Sequence, residues 1–272
     1  MSTKFIKLRG RKLEFGKKTL VMGILNVTPD SFSDGGFFYS HAAAASHAAK
    51  MVDDGADIID VGAESTRPNF TPITAEEEIA RLEKIIPAIK NFGVPISVDT
   101  YKPEVAAVAL ELGAEIINDV HGLASDEMIC VAKKFSAPVV AMHNRKFQGG
   151  VVDDVKKFFV DTIKRCRDFD FDTSQIIFDV GIGFCKTQEE NLILLRNLFE
   201  LKNFVGEVPL LLGVSRKSVI GYATGLDVNE RDEATGAACV LAAAQGIDIV
   251  RVHNVKLISK MCRMADRILD CQ

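Results

Sequence analysis

The sequence contains no tryptophan and only 3 tyrosines among its 272 residues. An aromatic platform for stacking bases or sugars is therefore not its main recognition device. A basic excess is also missing. Lys and Arg total 33 against 37 Asp and Glu, for a net charge of −4. Without bulk attraction to phosphate backbones, nucleic acid is not an expected partner, and any anion must be held by a few placed cations. Long apolar runs are absent too. The densest, residues 237–244, falls far short of the roughly 20 residues a bilayer-spanning helix needs, so no membrane partner is expected. The first residues, MSTKFIKLRGRKLEF, lack the continuous apolar stretch of a signal peptide. The six cysteines, at 130, 166, 185, 239, 262 and 271, form no C-x-x-C pair, and most sit inside apolar patterns. Reduced, mostly buried thiols and a cytoplasmic location are the expectation.

What is present is an alternation. Short runs rich in Ile and Val occur at 19–25, 57–61, 95–98, 115–118, 137–142, 175–180, 208–214 and 247–252. Each is apolar on both faces and too short for a typical helix, as buried parallel strands are. Between them, segments 42–54, 75–91, 103–112, 126–135, 152–167, 189–200, 231–245 and 256–271 repeat apolar residues at helical spacing. GADIIDV (55–61), GAEIINDV (113–120) and GIDIVRV (246–252) share one order: glycine, then an acid, then a β-branched run. That order reads as a helix ending at glycine, a tight turn and a buried strand. Eight such units predict an α/β fold, a (β/α)8 TIM barrel forming one domain over 1–272. No G-x-G-x-x-G follows the first strand, which disfavours an open doubly wound sheet. Residues 5–15 alternate around Gly10 and predict an N-terminal β-hairpin capping the barrel bottom.

In such a barrel the C-terminal strand ends and the loops after them form the active face. Read to their ends, the strands deliver Asn26, Asp60, Asp99, Asn118 with Asp119, Met142 with His143, Asp179, Lys217, and Arg251 with His253. Taken singly, an Asp or Asn there is as well explained as a helix cap. Their convergence is different: acids and amides recur at five strand ends, and cations collect only after strands seven and eight. A buried funnel of that kind is costly to desolvate unless a ligand matches it. Fixed acceptors and amide donors suit a flat heterocycle with N–H, amino and carbonyl edges. Lys217, Arg251, His253 and the helix start within GVSRKS suit anions. On this reading Asp60, Asp99, Asp119 and Asp179 line one arc of the mouth and the cations another.

At these residues the chain resembles the dihydropteroate synthase family of pterin-binding enzymes. The segments that carry the resemblance are MGILNVTPDSFSDGG (22–36), DIIDVGAESTRP (57–68), SVDTYKP (97–103), EIINDV (115–120), GIGF (181–184), GVSRKS (213–218) and IVRVHNV (249–255). The resemblance implies a transferase of folate biosynthesis. It would join p-aminobenzoate to 6-hydroxymethyl-7,8-dihydropterin pyrophosphate by SN1-like displacement, giving 7,8-dihydropteroate and pyrophosphate. It further implies that Asp99, Asn118, Met142, Asp179, Lys217 and Arg251 bind the pterin. Asn26, Arg251 and His253 would hold the pyrophosphate, with Asn26 a ligand of Mg2+. Asp30, Phe32, Ser33, Thr66, Arg67, Pro68 and Ser218 would enclose p-aminobenzoate. Asp99, Lys217 and Arg251 would carry the catalytic work. Sulfonamide inhibition and a homodimer through late barrel helices are implied as well. Two positions depart from the family pattern: Val180 stands where proline is usual before GIGF, and Cys185 where glycine is usual after it. The segment after Met142-His143 also diverges, and no role is assigned to His143, Asn144 or Arg145. The rival readings are a pterin-binding methyltransferase, a non-catalytic pterin-binding paralogue and, without the resemblance, a phosphate-binding barrel aldolase.

Overall fold

The computed structural model describes residues 4–27, 37–64 and 72–270. Two antiparallel strands, β1 (Lys4–Lys7) and β2 (Lys12–Phe15), form a hairpin. Eight parallel strands follow: β3 (Leu20–Asn26), β4 (Ile58–Gly62), β5 (Ile96–Asp99), β6 (Ile116–Asp119), β7 (Val139–Met142), β8 (Ile176–Asp179), β9 (Leu210–Leu212) and β10 (Ile249–Val252). They pair in chain order, and β10 closes on β3 to complete a barrel. Helices α1 (Phe37–Asp53), α2 (Ala75–Ile89), α3 (Pro103–Leu112), α4 (Asp126–Phe135) and α5 (Val151–Asp168) fill successive crossovers. The later crossovers hold α6 (Gln188–Arg196), α7 (Leu198–Val205), α8 (Ser218–Thr224) and α9 (Asp232–Ala244), and α10 (Val255–Leu269) follows the last strand.

The (β/α)8 expectation holds, with local differences. Segment 189–200 is two helices, because the chain turns at Asn197, where φ is −107° and the side chain bonds back to the Ile193 carbonyl. The short helix α8 begins at Ser218, where a helix start is expected within GVSRKS, and it precedes the longer α9 in the same crossover. Gly55, Gly113 and Gly246 all adopt positive φ ahead of their strands, as the shared glycine-acid motif requires. Helix starts follow side-chain chemistry. Thr74, Ser125, Thr187 and Asn254 each accept a backbone N–H of the first turn, and Pro103 opens α3.

Side chains alternate between two destinations. One residue of each pair packs outward under the helices, as Val21, Ile59, Val98, Ile117, Val139, Phe178, Leu212 and Val250 do. The other points into the barrel. There Leu20, Met22, Ile58, Ile116, Val140, Ile177, Leu211 and Ile249 form a separate cluster with Ile6, Leu8, Leu13 and Phe15 of the hairpin. The hairpin therefore plugs the N-terminal end, as expected. Lys7 N–H donates to Gln175 Oε1 at 3.2 Å, and Arg11 pairs with Glu115, fastening the plug to the barrel rim. Among the described residues no helix is long and apolar enough to cross a membrane. Cys166, Cys239 and Cys262 are buried free thiols, whereas Cys130 and Cys185 are exposed.

Candidate active site

The inward register that is apolar at the plug turns polar at the other end. Two residues beyond Ile58 is Asp60; beyond Ile116, Asn118; beyond Val140, Met142; beyond Ile177, Asp179; beyond Ile249, Arg251. On β5 the same register reads Ser97 then Asp99. Period-2 alternation thus delivers a ring of polar side chains to the C-terminal mouth. Asp60, Asp99, Asn118 and Asp179 are each at least 96% buried, since none exceeds 4% exposure.

These groups are tied together. Asp60 Oδ2 accepts Asn118 Nδ2 at 3.0 Å and Arg251 Nε at 2.6 Å. Arg251 Nη2 donates to Asp99 Oδ2 at 2.7 Å. The remaining oxygens, Asp60 Oδ1 and Asp99 Oδ1, are buried without a partner. An orphaned buried acceptor is costly, and it marks Asp99 as ready for a donor on a ligand. Burial pushes the Asp99 carboxyl up to about 7, although Arg251 pulls against this. Burial opposes the Arg251 charge, but Asp60 and Asp99 outweigh it and hold the proton more firmly.

The opposite wall is built by β8 and the residues after β9. Asp179 Oδ1 accepts Gly181 N–H at 2.8 Å. Burial raises Asp179 and the Lys217 charge lowers it, with the net upward. Lys217 Nζ donates to Ile182 O at 2.6 Å and sits 4.6 Å from the Phe184 ring centroid. Burial pushes Lys217 down to about 8 against the attraction of Asp179. Met142 is 3% exposed beside Asp179, its partner in the β7–β8 register. His253 is oriented by Ser215, whose Oγ lies 2.9 Å from Nδ1. Ser218 opens α8 and accepts Gln188 Nε2 at 3.1 Å.

Two expectations need correction. Asp119 does not line the mouth. It occupies the outward register after Ile117, and its carboxylate accepts the N–H groups of His121 and Leu123, both at 2.8 Å. It caps a turn. Nor are acids and cations on separate arcs, because Arg251 reaches across to Asp60 and Asp99 and Lys217 is drawn to Asp179. Unlike charges interleave because each buried charge needs a counter-charge within a few ångströms. Arg216, the other cation after β9, is spent on a two-pronged bond to Asp232 at 2.6 and 2.8 Å.

The divergent segment after β7 is structural. His143 is fully buried, held neutral because burial pushes it down to about 4, and lies 2.8 Å from Asp154. Arg145 grips the same carboxylate. Cys185 has φ of +50°, a conformation that suits glycine and explains why glycine is usual there. Asp30, Phe32, Ser33, Thr66, Arg67 and Pro68 lie outside the described residues. The chain on either side of 65–71 is joined, since Ile73 N–H donates to Glu64 Oε1 at 2.6 Å. Lys102 bonds both Glu64 and the buried Glu78.

Asn26 ends β3, with its amide oxygen facing Gly62, where no side chain stands. Among the described residues no group of three or more His, Cys, Asp or Glu could cage a metal. One neutral oxygen donor fits a Mg2+ ion that keeps most of its shell as phosphate oxygens and water.

The profile of the family described as "Pterin binding enzyme" matches residues 22–253. The chain is 45% identical to the dihydropteroate synthase of Bacillus subtilis over 272 residues, covering 98% of this chain and 95% of that protein. The chain belongs to the dihydropteroate synthases of the pterin-binding family. A solved dihydropteroate synthase from Clostridium difficile, in the presence of pteroic acid, is 44% identical. It superposes with a TM-score of 0.89, covering 93% of this chain and 98% of that one. The synthase of Xanthomonas albilineans, solved with 4-aminobenzoic acid, is 35% identical, with a TM-score of 0.94 and full coverage of both chains.

Sequence reasoning left Asp60 out of the pterin-binding set, although Asp60 holds two of its members. The signal was present: Asp60 follows Ile58 in the inward register, as Asp179 follows Ile177. Ser215 and Phe184 fall in the signature segments GVSRKS and GIGF without a role of their own, and nothing in a single sequence separates Lys186 from an ordinary loop residue.

Proposed function

We propose that the protein condenses p-aminobenzoate with 6-hydroxymethyl-7,8-dihydropterin pyrophosphate to give 7,8-dihydropteroate and pyrophosphate. The single observation that carries this reading is the ring of inward strand-end groups, which gathers buried acceptors and donors at the C-terminal mouth of the barrel. Asp99, Asn118 and Asp179 take the pterin N–H and amino edges, Lys217 its carbonyl side, and Met142 packs on the ring. Arg251 commits two of its five N–H donors to Asp60 and Asp99. Its other donors, with His253, take the pyrophosphate oxygens. Asn26 would hold Mg2+ there, and the ion would add positive charge against the leaving group. Asp30, Phe32, Ser33, Thr66, Arg67, Pro68 and Ser218 enclose p-aminobenzoate.

The chemistry follows from electrostatics and positioning. The C–O bond to pyrophosphate lengthens first, and the leaving oxygen keeps the electron pair. The Asp99 and Asp179 carboxylates face the positive charge that develops on the pterin methylene. The neutral aniline nitrogen then forms the C–N bond, and its surplus proton leaves to the phosphate or to water. No strong base is needed. A sulfonamide would compete for the p-aminobenzoate position.

A homodimer in the cytoplasm belongs to the same proposal. Helices α9 and α10 pack together and expose Leu241, Met264, Ile268 and Leu269, each more than half accessible. Exposed apolar side chains on two packed helices are a natural self-association surface.

The test is turnover by the pure protein. Dihydropteroate should form only when both substrates and Mg2+ are present, and a sulfonamide should inhibit competitively against p-aminobenzoate. Pterin binding with no product under those conditions would favour the non-catalytic reading.

A further inference from the structure

Lys186 lies beyond the signature turn 181–184 and has no part in the pterin contacts above. Its ammonium nevertheless donates to three carbonyls: Gly181 O at 2.8 Å, Phe184 O at 2.9 Å and His143 O at 3.1 Å. That is the full donor capacity of an ammonium. Two of the acceptors lie in the turn after β8, and the third follows β7. One side chain therefore clasps the turn to the neighbouring strand end.

Everything the turn offers to the site depends on where it is held. Gly181 N–H fixes Asp179 Oδ1, Ile182 O receives Lys217 Nζ, and the Phe184 ring covers the same ammonium. His143 N–H also donates to Asp179 O at 2.9 Å, so the clasped strand end supports Asp179 from its other side. The fit leaves no slack. Gly181 has φ of +69°, and a Cβ on it would stand 1.9 Å from His143 O.

We propose that Lys186 is a positioning residue of the pterin subsite, setting Asp179 and Lys217 through the turn it clasps. This rests on the pterin reading above. The neighbouring charges fit the role. Asp179, Glu190 and Asp154 attract the ammonium and the Cys185 thiol adjoins it, while its charge opposes protonation of Lys217 and His143. Burial brings Lys186 down to about 8, so its proton is held chiefly by those acids and by the three carbonyls.

A purely structural clasp and a positioning clasp differ in what a substitution does to the two substrates. Lys186→Met keeps the bulk and removes every donor. Loss of charge-assisted bonds should weaken calorimetric affinity for 6-hydroxymethyl-7,8-dihydropterin pyrophosphate about tenfold or more. KM for p-aminobenzoate, taken at saturating pterin substrate, should stay within about twofold of wild type, which is the scale of an undisturbed contact. In Lys186→Ala, n-propylammonium should restore pterin affinity saturably. Lys186→Gln, with two donors retained, supplies the same reading if the other variants melt too low to assay. Unchanged pterin affinity in a cooperatively melting variant overturns the proposal, and so does an equal loss for both substrates. If the wild-type protein forms no product, the underlying reading fails instead.

Discussion

At the residue scale, the site consists of charges that are tolerable only together. Asp60 joins Asn118 and Arg251, Arg251 joins Asp99, and Lys217 answers Asp179. Truncating one member strands the rest, because a lone buried charge costs more than the pair returned. Asp60→Ala should therefore cost about 3 kcal/mol of stability by urea unfolding. It should also lower kcat/KM, since Arg251 and Asn118 lose their common anchor. Two of the shifted groups at the mouth, Asp99 and Lys217, set a pH window. Asp99 ionises as pH rises past about 7, and Lys217 keeps its proton until about 8. Both are charged between those values, so pterin affinity measured by calorimetry should peak there. It should fall below the window as Asp99 gains a proton, and above it as Lys217 loses one.

At the element scale, the barrel was legible because it is written in periodicity. Eight β-branched runs, glycines at positive φ and threonine or serine caps each state a local rule, and the structure obeys them. Where local rules were silent, the reading stopped. The extent of α8 is not written in any periodic pattern, and no propensity tells that Asp119 faces outward while Asn118, one residue earlier, faces the barrel mouth. Only the register of Ile116 and Ile117 decides it. Arg251 and Lys217 could be named as cations, but their partners on distant strands could not. The turn at 181–185 shows the cost of a single position. Cys185 sits in the left-handed region, where a side chain costs about 1–2 kcal/mol. Glycine loses part of that gain to unfolded-state entropy. Cys185→Gly should thus stabilise the fold by about 0.5 kcal/mol in urea melts, with its sign as the check.

At the scale of the whole molecule, one set of inward residues does two jobs. At one end it is sealed by the hairpin, with Ile6, Leu8, Leu13 and Phe15 against the first inward layer. At the other it presents the polar ring. The plug keeps the charged ring's floor dry, which strengthens every interaction above it. The surface offers a second whole-molecule prediction. Ile268→Glu places a charge in the exposed α9–α10 face and should convert a dimer into a monomer by light scattering, with the melting temperature nearly unchanged. We propose that inward strand-end groups, and not the neighbouring outward ones, bind the pterin. Calorimetry of 6-hydroxymethyl-7,8-dihydropterin pyrophosphate against Asp99→Ala and Asp119→Ala tests it most directly. Asp99→Ala should lose about tenfold or more in affinity, and the folded Asp119→Ala protein should bind as wild type. Wild-type affinity in Asp99→Ala, or equal losses in both, would contradict it.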